Sequence, residues 1–134
     1  MARVDVSLRN VPGTQAALGW AGGHTLVADR PVGRAGGQGL GFNGAELLAL
    51  AIGGCLANDL RYLAHAEGVE LSAIAIEVAL TLEGEPLIVT GAEVRVAAEG
   101  PDPEAAAGIV ARAEADSTVA GSLARGVPVR FLSV

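Results

Sequence analysis

The sequence predicts an α+β fold in the order βββ–α–ββ–α–β, with helices packed on antiparallel sheet. Three observations carry this. The opening third alternates apolar and polar residues in short runs broken by "NVPG" and "AGG". Two stretches carry helix-start residues, and glycines follow the helical segments. Two long Ile/Val/Thr-rich runs are joined by only "EGEP", a linker that fits a hairpin and not a parallel crossover.

Taken in order, Arg3–Leu8 is the first strand, and Thr14–Trp20 and His24–Asp29 complete a meander. Arg30–Phe42, "RPVGRAGGQGLGF", is a glycine-rich loop long enough to be functional. Asn43 is a helix N-cap with Glu46 at N3, a capping box of the Asn type. The helix runs to Glu67 and stops at Gly68. Its first half, Leu47–Leu56, is apolar on every face, as in a buried helix; its second half carries Asp59, Arg61, His65 and Glu67 and turns to water. Leu71–Leu82 and Leu87–Ala98 form the hairpin. Asp102 caps a second helix with Pro103 at N1, reaching about Ala115. Thr118–Arg125 is a short helix ended by Gly126, and Val127–Val134 is the last strand. No repeat or second domain interrupts residues 1–134.

Composition narrows the function. A chain of 134 residues, 51% hydrophobic, can bury a core. Only 3% of it is aromatic, so small aliphatic side chains must build that core and leave apolar surface for a partner subunit. The net charge of −6 argues against nucleic acid, which needs a basic stripe. All nine basic residues are Arg, and without Lys there is no Walker P-loop and no Schiff-base chemistry. The apolar run Leu47–Ala57 is shorter than the about 20 residues a membrane span needs. "MARVDVSLRN" has no apolar signal region, so the expected location is the cytoplasm.

"GLGFNGAELLALAIGGCLANDL" then poses the chemical question. Gly39, Gly41 and Gly44 spell G-x-G-x-x-G, but the preceding strand ends ten residues earlier and an antiparallel hairpin follows, so the dinucleotide reading fails and no cofactor is expected. One Cys with His24 and His65 is no metal set, and no G-x-S-x-G elbow supports a serine triad. Cys55 remains. A buried free cysteine is ordinarily a small inert hydrophobe. At helical spacing, however, Leu48, Ile52, Asn58, Asp59 and Tyr62 share its face, so polar groups begin one turn beyond the thiol. A reactive thiolate needs positive charge nearby, and Arg30 and Arg34, just before the helix, are the candidate suppliers.

"GFNGAELLALAIGGCLANDL" resembles the central-helix signature of the OsmC/Ohr family, the osmotically inducible and organic-hydroperoxide-resistance proteins, and the likeness extends to the meander, the hairpin and "SLARGVPV". The resemblance implies an intertwined homodimer with two long central helices packed between sheets. It also implies a cysteine oxidised by an organic hydroperoxide, a second cysteine that resolves the sulfenic acid, and an Arg–Glu pair that supports the thiolate. Cys55 falls on the attacking cysteine, and Ser117 stands where the second cysteine lies. The arginine falls in the Arg30–Arg34 loop. Ala45 stands ten residues before the cysteine, where the best-known members carry glutamate; Glu46 stands nine before it. Nine residues turn a helix by about 180°, so Glu46 acts on a thiol only across the dimer, and within its own chain it is a cap. The expected function is a thiol-dependent organic hydroperoxide reductase reduced by an external thiol. The alternative is a non-catalytic OsmC-like dimer that binds a hydrophobic ligand or has a stress-related structural role.

Overall fold

The computed structural model describes residues 1–134. They form two compact units, Met1–Leu48 and Ala49–Val134, with helix α1 running from the first into the second.

The first unit holds strands β1 (Ser7–Asn10), β2 (Ala17–Ala21) and β3 (His24–Ala28) in an antiparallel sheet of that order. The expected meander forms, with later starts for β1 and β2. Ser7 pairs with Trp20, and β2 ends one residue further on at Ala21, so residues N-terminal to Val6 have no strand to pair with. Thr14 belongs to the turn: its hydroxyl donates to the Val11 carbonyl and accepts from the Ala16 amide. The glycine-rich loop returns to the sheet through a parallel bridge between Ala28 and Phe42. There Gly41 lies so close to the Val27 carbonyl that any Cβ would collide with it. Close packing of backbone on backbone therefore explains this glycine without a nucleotide.

Helix α1 (Gly44–Glu67) begins and ends as its sequence dictates. The Asn43 carboxamide accepts from the Glu46 amide at 2.9 Å, and Glu46 returns the bond to the Asn43 amide at 3.0 Å. Gly68 takes the left-handed conformation, φ +66°, that ends the helix. By length and composition α1 meets the requirement for crossing a membrane, so the apolar stretch of the helix is longer than the run Leu47–Ala57 taken alone. Core helices of soluble proteins meet the same requirement.

In the second unit β4 (Ala73–Glu83) and β5 (Ile88–Glu99) form the antiparallel hairpin. Ile74, Ile76 and Val78 pair with Ala98, Val96 and Val94, setting one apolar face. That face packs on Ile52, Leu56, Leu60 and Ala64 of α1, spaced by four, and on Ala106, Ile109 and Ala113 of α2 (Pro103–Asp116). Leu60, Ile109 and Ala113 are wholly buried. Arg112 of α2 forms an ion pair with Glu67 at the end of α1. Helix α3 (Thr118–Arg125) follows at once, stopped by Gly126 at φ +74°.

Two expectations are corrected. Residues 127–134 form no strand: no strand beside them offers a partner, and Val129, Phe131 and Leu132 stand exposed. The first half of α1 is not buried all round either. Leu50 is 52% exposed, because the hairpin and α2 cover one stripe of the helix and leave another open.

Candidate functional site

Cys55 lies in the fourth turn of α1, half-buried and free. Leu56, beside it in sequence, is in the core stripe, which leaves the thiol at the margin of that stripe. Two polar groups meet the sulfur. Asp59, one turn on, accepts from the thiol, with 3.6 Å between Sγ and Oδ2. Ser117 donates its hydroxyl to the sulfur at 3.7 Å. Long distances of this order suit sulfur, a large and weak hydrogen-bonding atom.

Ser117 is 4% exposed and sits between α2 and α3. It is the N-cap of α3, and its Oγ accepts from the Ala120 amide at 3.4 Å. The sequence "DSTVAG" therefore accounts for its placement: a serine at a helix start holds its side chain against the first turn. The hydrogen bonds run in one direction, from the Ala120 amide to Ser117, to Cys55, to Asp59. The structure thus brings Cys55 together with Ser117, the residue that the sequence resemblance sets at the second-cysteine position.

The other sequence candidates lie in the first unit. Arg30 donates to the Gln15 carbonyl and pairs with Asp29 at 3.4 Å. Its Nε is buried without a partner. Arg34 is exposed and takes part in its loop through backbone bonds to Pro31 and Gly37. Glu46 performs the capping described above, with its carboxylate on the Asn43 amide. A pocket of about 270 Å³ is lined by Gln15, Asp29, Arg30, Phe42, Asn43 and Gly44. In the second unit, an apolar groove of about 610 Å³ runs between β5 and α2, past Val96, Ala98, Ala107 and Val110. His24 and His65 are both exposed, and no group of His, Cys, Asp and Glu side chains is arranged to hold a metal.

Asp29 organises the loop that carries the two arginines. Its side chain is 1% exposed. It accepts from the amides of Leu40 at 3.0 Å, Gln38 at 3.1 Å and Arg30 at 2.7 Å. The Leu40 amide above all, then those of Arg30 and Gln38 and the Arg30 charge, hold its carboxyl below the usual range, although burial opposes them. Sequence reading placed Asp29 at a strand end and missed this role. The available signal was an Asp directly before a glycine-rich turn, where carboxylates commonly gather backbone amides. Helical periodicity puts Asp59 on the Cys55 face, and the structure adds its contact with the thiol.

A family model described as OsmC-like protein matches residues 36–131. Solved structures agree in fold. An OsmC-like protein of Mycoplasma pneumoniae superposes with a TM-score of 0.75 at 14% identity, covering 94% of this chain and 89% of that one. A hypothetical protein of Aquifex aeolicus gives 0.74 at 21% identity, covering 94% and 90%. The organic hydroperoxide resistance protein OhrB of Bacillus subtilis gives 0.60 at 22% identity, covering 94% and 93%. No curated protein matches the chain by sequence.

Proposed function

Because the chain belongs to the OsmC-like family and is related in fold to organic hydroperoxide resistance proteins, we propose that it is a thiol-dependent organic hydroperoxide reductase with Cys55 as its peroxidatic thiol. The observation that carries this reading is the Ser117 hydroxyl 3.7 Å from the Cys55 sulfur. Ser117 and Cys55, which the resemblance sets on the second-cysteine and attacking-cysteine positions, are in contact, and that contact supports the reading. With serine there, the sulfenic acid has no internal thiol to resolve it, and a small thiol or a dithiol protein supplies the reduction. The apolar stripe beside the thiol suits an alkyl or aryl hydroperoxide. The proposed protein is a homodimer, a reading supported by the open apolar stripe at Leu50 and by the unpaired apolar tail.

The second reading is a non-catalytic dimer that binds a hydrophobic ligand. It is favoured by Ser117 and Ala45, which stand where redox members carry the second cysteine and a glutamate, and by the apolar groove between β5 and α2. Peroxide consumption separates the two. With cumene hydroperoxide and dithiothreitol the wild type turns over repeatedly, and Cys55→Ser consumes none. Loss of no peroxide by the wild type under these conditions overturns the enzymatic reading in favour of the binding one.

A further inference from the structure

Resting on the peroxidase reading, we infer that Asp59 is the general base that takes the Cys55 proton during attack on the peroxide, with Ser117 donating a hydrogen bond to the sulfur. Neither residue is the arginine or the glutamate expected to serve the thiol.

A thiol at neutral pH is only slightly ionised, and its attack needs a proton acceptor or a neighbouring cation. The Asp59 carboxylate already accepts from Cys55, Sγ to Oδ2 at 3.6 Å. The opposite side of the sulfur is held by a donor, the Ser117 hydroxyl, which is itself polarised by the Ala120 amide in the first turn of α3. The chain is directional, so negative charge that develops on sulfur meets a hydroxyl donor while the proton leaves toward a base. Both Cys55 and Asp59 are half-buried, so a substrate and water can reach them. The β4 side chains that approach α1 at Gly53 are Ile76 and Val78, and Asp116, next to Ser117, contributes its charge to Arg112.

The step balances. A sulfur lone pair attacks the terminal peroxide oxygen, the S–O bond forms and the O–O bond breaks. Sulfur gives up two electrons, and the alkoxide leaves with the O–O pair. The thiol proton passes to Asp59 and from Asp59 to the alkoxide, so Cys–SH and ROOH become Cys–SOH and ROH, with the carboxylate restored. Two equivalents of external thiol then return Cys–SH and release a disulfide and water.

The test compares the intact protein with Asp59→Asn, Ser117→Ala and Ser117→Thr between pH 5 and pH 8. Second-order rates are read with iodoacetamide and with cumene hydroperoxide, and circular dichroism checks each fold. Asp59→Asn is expected to react about a hundred-fold or more slowly at pH 6 with both reagents, from the lower end of the usual range of general-base effects upward. The deficit should close as rising hydroxide takes over the proton. Ser117→Ala should be several-fold slower with the pH dependence unchanged in shape, and Ser117→Thr, which keeps hydroxyl and cap, should recover. Equal or faster reaction of Asp59→Asn at pH 6 with both reagents overturns the inference, since the carboxylate then only repels charge on sulfur. If Asp59→Asn slows iodoacetamide while hydroperoxide oxidises neither protein, the base role stands and the peroxidase reading falls.

Discussion

Cys55 and Asp29 are the two residues whose environments decide most, one by reactivity and one by charge. The thiol is held between a carboxylate and a hydroxyl and is only half-buried. Cys55→Ser changes little volume but puts a stronger hydrogen-bonding group at the margin of the core, at a cost of about 1 kcal/mol. A urea melt should show a small loss of stability with the fold retained. Asp29 gives a pH prediction. Its carboxyl is held below the ordinary value by the Leu40, Arg30 and Gln38 amides and the Arg30 charge. A depressed carboxyl adds stability that is fully present above the unfolded value near pH 4 and is lost as pH falls through the folded value. The melting temperature should therefore drop between pH 5 and pH 2, and Asp29→Asn should be less stable at pH 7 with a flatter acid limb. An unchanged acid limb in Asp29→Asn would show that the loop does not depend on this carboxylate.

At the scale of elements, the helices were legible because their signals are local. Asn43 with Glu46, Gly68, Asp102 with Pro103 and Gly126 each mark an end within one turn, and each lies where the structure puts that end. The strands were legible as elements and less so in their bounds, because a strand begins where its partner does; β1 starts at Ser7 since that residue faces Trp20. The tail from Val127 alternates like a strand but has no neighbour to complete it. At the site, periodicity placed Asp59 on the thiol's face, while the approach of Ser117 from 62 residues away depends on how α1 and the α2–α3 junction pack. That packing is also where stability concentrates. Leu60 and Ile109 are fully buried in the shared core, so Leu60→Ala or Ile109→Ala should cost about 2–5 kcal/mol. Denaturant unfolding checks this, and a loss below about 1 kcal/mol would mean that the core closes around the gap.

The whole molecule leaves much apolar surface open. Val4 and Val6 in the first unit and Leu50, Tyr62, Val129 and Phe131 in the second are all exposed. A homodimer is the assembly expected to cover them, and light scattering at micromolar concentration should give twice the mass of the 13.4 kDa chain. A monomer under those conditions would remove the shared-helix architecture. Composition made this surface visible early: with few aromatics, small aliphatics must serve both the interior and any partner.

The central claim is that Cys55 attacks hydroperoxides and stops at the sulfenic acid for want of an internal thiol. Intact-mass spectrometry of the wild type after one equivalent of cumene hydroperoxide, without reductant, tests it most directly. The predicted result is addition of one oxygen atom to the chain, removed by dithiothreitol and absent in Cys55→Ser, with further oxygens added as peroxide is raised. A wild-type mass unchanged at one equivalent and at excess would contradict it.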